Sequence, residues 1–445
     1  FFKLASHELT WIDIPESYSS DLHYRLKTSG NGLLRIDFNG SQGTSKLDYS
    51  NMNDEFSVIG MHNANVFAKT NYNVELSDKW LFKTGLAYNY DNDKKALDDD
   101  ALDEALQSTH FRLSFINYAS DRLTLKFGGE SYYTDYRFEY YNNAIDTRFP
   151  LSAYDNLATG FAEADFKASN KMAFRFGMRG EYSTLTKESN IAPRLSLAYK
   201  LTNSSQISLA SGSFYQQAHH TYLKYSSDLT YEQATHYLLN YQIEKNDRVF
   251  RAEVYQKDYE DLVTYEYGIY SEFEKLSNRG EGYARGIDLF FKDDKSIPLL
   301  NYWISYSFID SERQFRDYEA KATPEFVSKH NLSLVAKYWA QKLSSQFSLT
   351  YSFASGRPYN NPNISTFMSQ RTKSWHDLSG NVSYLTNLFG QFTIVHVSVS
   401  NILGLENIFS YRYTSEPDEN GLYTATPIKS YMDRTIIIGV FISIQ

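Results

Sequence analysis

The feature that most constrains this chain is an alternation of period two. In Gln346-Phe347-Ser348-Leu349-Thr350-Tyr351-Ser352-Phe353 every odd position is apolar and every even position is polar. A period of two puts the two kinds of side chain on opposite faces of a β-strand. Segments of this kind recur along nearly the whole chain, joined in turn by small polar turns and by long aromatic loops. The apolar runs are too short and too polar for a helix that crosses a membrane. The pattern predicts an all-β fold, a transmembrane antiparallel β-barrel.

Composition agrees once the alternation is understood. Only 42% of the residues are hydrophobic and the mean hydropathy is -0.50, because a barrel strand shows lipid at every second residue only. Aromatic residues make up 16%, with 38 Tyr and 30 Phe against 5 Trp, and Tyr suits an interface that is apolar on one side and wet on the other. The 445 residues contain no linker or composition break, so a single barrel domain over 1–445 is expected. There is no Cys, hence no disulfide framework. The formal charge of -9 argues against a nucleic-acid partner. Phe1-Phe2-Lys3-Leu4 does not open a signal peptide, and the chain is expected to be mature or cut.

Barrels of the outer membrane place short turns on the periplasmic side and longer loops outside. Short turns are predicted at 29–32, 77–79, 120–121, 170–171, 203–204, 246–247, 296–298, 340–342 and 387–388, each carrying Gly, Asn, Asp, Ser or Pro or joining two alternating runs. These nine hairpins, a run near 3–14 and a last run at 431–444 total about 20 strands, within an expected range of about 20–22. Long loops are expected at 91–107, 141–155, 216–233, 261–278, 312–326, 356–372 and 403–430. Facing follows from charge: Leu195, Leu197, Tyr199 and Leu201 point to lipid and Arg194, Ser196 and Lys200 to the lumen. Likewise Phe250, Ala252 and Val254 point out while Arg251, Glu253 and Lys257 point in, since a cation facing mid-bilayer lipid costs about 2–4 kcal/mol.

Several segments resemble the C-terminal barrel of TonB-dependent outer-membrane receptors. They are Ile191-Ala192-Pro193-Arg194-Leu195-Ser196-Leu197-Ala198-Tyr199 with Gly212-Ser213-Phe214-Tyr215-Gln216, then Arg251 to Leu262, then Asn278-Arg279-Gly280-Glu281-Gly282-Tyr283-Ala284-Arg285-Gly286-Ile287-Asp288-Leu289. His330-Asn331-Leu332-Ser333-Leu334, Ala354-Ser355-Gly356-Arg357-Pro358-Tyr359 and Val399-Ser400-Asn401-Ile402-Leu403-Gly404 follow in the family's order. The likeness is specific over about 190–445 and rests on general barrel pattern before that. Gly280, Gly282 and Gly286 read as places where a strand bends and its neighbours come close.

The resemblance implies a bacterial outer-membrane location and energised uptake of a scarce nutrient such as a siderophore, glycan or peptide, driven by the TonB-ExbB-ExbD system. It also implies a plug domain that fills the lumen. No plug sequence is recognisable in these residues, so the chain is expected to be the C-terminal portion of a longer receptor, or one half of a split one. Other implied partners are the lipid bilayer with lipopolysaccharide, and a surface lipoprotein or other outer-membrane subunits. The alternative reading is a structural or docking barrel in a larger outer-membrane assembly.

Ligand contacts are expected on the loops, at His219, His220, Tyr222 and Tyr225 and at Arg357 and Tyr359. Adjacent histidines lack the usual chelating spacing, and the same residues fit a solvated loop. The acidic stretch Asp91 to Glu104 lacks the spaced ligands and glycine of a calcium loop. Tyr132, Tyr133, Tyr136 and Tyr140 are read as part of an aromatic girdle. No metal site and no cofactor are expected. The chain has no Gly-x-Ser-x-Gly elbow, no His-Glu-x-x-His and no glycine-rich phosphate loop, so no catalytic residues are assigned and it is not read as an enzyme.

Overall fold

The structure is a computed structural model that describes residues 10–50, 56–267, 273–430 and 433–443. The strands in chain order begin with β1 (Thr10–Thr28), β2 (Gly32–Ser50), β3 (Phe56–Ser77), β4 (Trp80–Leu97), β5 (Asp100–Ser120) and β6 (Leu123–Asn142). Next come β7 (Thr147–Lys167), β8 (Met172–Ser183), β9 (Ser189–Lys200), β10 (Ser205–Gln217), β11 (Tyr231–Lys245) and β12 (Arg248–Tyr267). Then follow β13 (Phe273–Asp293), β14 (Leu300–Gln314), β15 (His330–Ala340), β16 (Ser345–Ala354), β17 (Pro358–Tyr359) and β18 (Gln370–Arg371). The last are β19 (Trp375–Leu388), β20 (Gln391–Ser400), β21 (Ile408–Tyr413), β22 (Ala425–Lys429) and β23 (Thr435–Ile442).

Nineteen of these strands form one antiparallel meander, in which each pairs with the next. The pairs β17–β18 and β21–β22 are small hairpins inside loops. Among the described residues the sheet has 19 strands where the sequence suggests about 20, because residues 10–14 continue straight into the strand that precedes the first turn; residues 3–9 lie outside the described residues. Nineteen is odd, so β1 and β23 run in the same direction, and no pairing joins them among the described residues.

All nine predicted short turns fall at or within two residues of a strand junction at the same end of the sheet. At the other end the strands run on. Crossing the bilayer takes about 9–11 tilted residues, whereas β3 has 22 and β7 has 21. The wall therefore stands well above the membrane. This corrects three expected loops: 91–107 is β4 and β5 joined at Asp98-Asp99, with Asp98 at a positive φ of 54°, 141–155 is mostly β6 and β7, and the described residues of 261–278 belong to β12 and β13. Above the bilayer both faces meet water, so the sequence has no reason to alternate there.

The two faces of the wall differ as their charges require. Leu195, Leu209, Val254 and Leu349 are about half exposed on the outside, a large apolar surface that only lipid can cover. Next to a periplasmic turn, Trp80 meets Phe115 and Phe127 edge-on at 6.5 and 6.1 Å, an aromatic belt at the interface. Inside, Glu130 sits 3.3 Å from the Arg112 guanidinium and 3.4 Å from that of Arg179, which reaches Glu181 at 2.5 Å. The lumen is ionic.

Glycine positions show how tightly the strands approach. A Cβ on Gly286 would lie 2.3 Å from the Phe308 carbonyl oxygen and 2.5 Å from the Tyr255 hydroxyl. One on Gly356 would lie 1.9 Å from the Thr372 carbonyl oxygen.

Candidate functional site: the mouth of the barrel

The connection between β10 and β11 is long enough to reach across the mouth, and it folds inward. Its centre is a single turn of helix, α1 (His220–Leu223), capped by His219, whose ring nitrogen accepts from the Thr221 amide. Ala218, Leu223 and Leu229 bury themselves in one cluster with Tyr136 and Ala153 from β6 and β7 and with Val263 and Tyr265 from β12. Leu106, Phe138, Tyr222, Phe273 and Leu276 pack around it. One loop thus touches two separate stretches of the wall.

Both ends of the loop are fastened by side-chain amides. The Gln217 amide donates to Asp155 and to the Ser183 hydroxyl, each at 2.9 Å, and Asp155 also accepts from the Ser183 hydroxyl and the Leu185 amide. At the far end Asn278 accepts from the Thr230 amide at 2.8 Å and donates to the Thr230 and Asp261 carbonyls. Glu232 takes the Val263 amide at 2.9 Å, and its burial raises its pKa.

The polar groups of this cluster are held in aromatic surroundings above the membrane. His220 lies 3.9 Å from the His219 ring and 4.1 Å from the Tyr136 ring. Burial pushes its pKa down to about 4, helped by His219 and Lys224. Lys224 stands 3.1 Å from the centre of the Phe138 ring, 5.2 Å from Tyr225 and 5.8 Å from Tyr136, and burial lowers its pKa to about 8. Tyr136 is wholly buried and donates its hydroxyl to Glu104. Burial raises its pKa strongly. Tyr136 is thus no girdle residue but the floor under the loop, and Tyr140, which donates to Asp100, is likewise engaged above the bilayer.

The other expected site residues sit in a second cluster, built from the β14–β15, β16–β19 and β20–β23 connections. The Thr372 amide donates to the Arg357 carbonyl at 2.9 Å and the Arg357 amide to the Thr372 hydroxyl at 3.0 Å, which starts the β17–β18 hairpin. Tyr359 lies 4.8 Å from Tyr411, and Tyr318 meets Phe367 at 5.2 Å. The Asn363 side chain pairs with the Tyr423 backbone, donating and accepting at 2.8 Å. The expected residues therefore divide: His219, His220, Tyr222 and Tyr225 belong to the inward loop, Arg357 and Tyr359 to the interlocked loops.

Among the described residues no group of three or more His, Asp or Glu is arranged to hold a metal. The acids of 91–104 lie on β4 and β5, apart from Asp98 and Asp99 in the turn between them, and there Asp103 faces Lys94 at 3.5 Å and Glu104 faces Lys95 at 3.9 Å. Nothing local marks Tyr136, Phe138 and Glu104 as partners of the loop, because they lie about 80 or more residues before it. The only signal was the length of the 216–233 connection.

The profile of a family described as TonB dependent receptor-like, beta-barrel, matches residues 10–402. No protein of curated function matches the sequence. The fold is that of solved outer-membrane transporters. The outer membrane transporter YddB from Escherichia coli superposes with a TM-score of 0.71 at 12% identity, over 96% of this chain and 75% of that one. The ferric yersiniabactin uptake receptor FyuA from Yersinia pestis gives 0.73 at 12%, over 96% and 70%, and the copper transporter OprC gives 0.74 at 11%, over 96% and 72%. With an ionic lumen, a lipid-facing wall and a family profile over most of its length, this chain belongs to the TonB-dependent receptors, transporters of the outer membrane.

Proposed function

We propose that the protein is the barrel of an importer that captures a scarce nutrient at its mouth and passes it through the lumen at the expense of TonB-transmitted energy. The observation that carries this reading is the inward loop, seated between two stretches of wall above a charged lumen. A ligand arriving from outside meets His219, His220, Tyr222 and Tyr225 before it can reach the Arg112-Glu130-Arg179 network. The four aromatic or imidazole groups offer stacking faces and hydrogen bonds, and Arg357 and Tyr359 offer more from the facing loops.

A 19-stranded wall encloses a space wider than its own side chains fill. In this reading a plug, on the same polypeptide or on another chain, occupies the lumen and moves when TonB pulls it. Residues 1–445 then form one barrel domain. Surface lipoproteins and lipopolysaccharide are further partners of the same reading.

The test is uptake in cells lacking this protein, with and without functional TonB. A nutrient whose accumulation needs both supports the proposal. A passive ion current through the purified native protein in planar bilayers, with no TonB-dependent uptake, overturns it.

A further inference from the structure

On the lumen side, β14, β15, β16 and β19 build a pocket of about 360 Å³ whose chemistry is unlike that of the inward loop. Its floor is a ladder of small polar groups in register. Ser305, Ser333 and Ser352 form one row, and Ser307, Asn331, Ala354 and Trp375 form the next. Neighbouring rungs are about 4.8 Å apart across the strands. The four serine hydroxyls have no side-chain hydrogen-bond partner among the described residues, and Asn331 uses its amide on the Ser328 carbonyl, which leaves its oxygen open.

The upper wall is aromatic and cationic. The Trp375 ring meets Phe409 at 5.0 Å. Asn407 holds that contact by accepting from the His376 amide at 3.1 Å and donating to the His376 carbonyl at 2.9 Å. Arg357 and Lys373 line the same pocket, and Lys373 also lies in the field of the Glu406 carboxylate, which Lys429 holds at 2.8 Å. Asp377, on the same face beside Ser352, accepts from the Ser379 hydroxyl at 2.5 Å.

Open hydroxyls, one exposed aromatic edge and two cations make a consistent set. Hydroxyls and an amide oxygen exchange hydrogen bonds with a polyol. An aromatic face covers the apolar C–H side of a saturated ring. A guanidinium takes a carboxylate through two parallel N–H bonds. We propose that this pocket binds an acidic carbohydrate, with the sugar hydroxyls on the serine ladder, a ring on Trp375 and Phe409, and the carboxylate on Arg357 and Lys373. The volume lies at the small end of ligand pockets, enough for one or two rings.

The inference names a substrate class for the proposed importer and rests on that reading only for the passage that follows binding. The test is therefore binding itself, measured by calorimetry and tryptophan fluorescence on the full native protein in detergent, with trigalacturonate, the neutral galactotriose and citrate as probes. Trigalacturonate is expected to bind at least tenfold more tightly than the other two. The R357Q/K373Q double variant, altered only at exposed side chains, should abolish that preference, and W375F should remove most of the fluorescence response. Equal affinity for the acidic and neutral sugars, tighter binding of citrate, or full trigalacturonate affinity in R357Q/K373Q overturns the proposal. Binding of trigalacturonate without TonB-dependent uptake leaves the pocket standing and overturns the importer; TonB-dependent uptake of another nutrient without such binding does the reverse.

Discussion

The ammonium of Lys224 stands 3.1 Å from the centre of the Phe138 ring. A cation over an aromatic face is worth about 0.5–2 kcal/mol, more as water is removed, and here the contact ties the turn of α1 to β6. K224M keeps the length of the side chain and loses the charge. Because burial penalises that charge, lowering its pKa to about 8, the variant should seat residues 218–230 more firmly, read as slower amide hydrogen exchange in the loop with unchanged exchange in β6.

Leu223 and Leu229 are the apolar anchors of the same loop, 6% and 2% exposed. Truncating a buried leucine to alanine costs about 2–5 kcal/mol. For L223A and L229A the cost should fall on the loop alone. Protease cleavage between 218 and 230 should rise while the barrel's thermal transition stays in place.

Acid should release the loop. The seated state holds His220 near pKa 4, below its ordinary value of 6.5, so the released loop binds a proton that the seated loop refuses. Seating is complete in this respect above pH 6.5, weakens as pH falls, and has lost the full contribution below about 4. Lys224, lowered from 10.5 to about 8, works in the same sense at higher pH: seating weakens as pH falls from 10.5 to 8. The charged groups in reach are His219, Glu104 and Lys224 itself. Loop exchange measured from pH 7 to pH 4 should speed up in wild type and lose most of that dependence in H220Q.

The wall should be asymmetric toward charge. V254R puts a cation on the lipid side and should cost about 2–4 kcal/mol in folding into vesicles. S208R puts the same group on the lumen side, where arginine already occurs, and should cost far less. Equal losses in guanidinium titrations of the two variants would contradict the assignment of faces.

Gly286 tolerates no side chain. G286V drives a Cβ against the Phe308 carbonyl and the Tyr255 hydroxyl; Y255F removes only the second obstacle. The double variant should therefore fold no better than G286V, judged by the yield of heat-modifiable barrel on gels.

Much of this wall was legible from residues alone, and the reason is physical. Within the bilayer each strand separates lipid from water, and Leu195 beside Arg194 records that contrast residue by residue. Turns were legible because a tight reversal needs specific chemistry, as at Ser29-Gly30-Asn31. Above the bilayer the contrast vanishes: Asp91-Asn92-Asp93-Lys94-Lys95 continues β4, yet both its faces are wet and it reads as loop. The site was half legible. His219, His220, Tyr222 and Tyr225 do come together, but Tyr136 sits among many tyrosines of β6, and only the long-range fold selects it as the floor. Trp375 and Phe409 meet through Asn407, which no local pattern reveals.

The pairing of Asn363 with the Tyr423 backbone joins two segments sixty residues apart at the cell surface. An amide side chain that donates and accepts in this way imitates a peptide group, so the 356–372 and 403–430 loops present one continuous relief to the outside. To the immune system or a phage tail such a surface is a discontinuous epitope. Sera raised against either loop as a free peptide should bind the intact bacterium poorly, while a binder selected on the folded protein should lose its target when Asn363 alone is replaced by leucine.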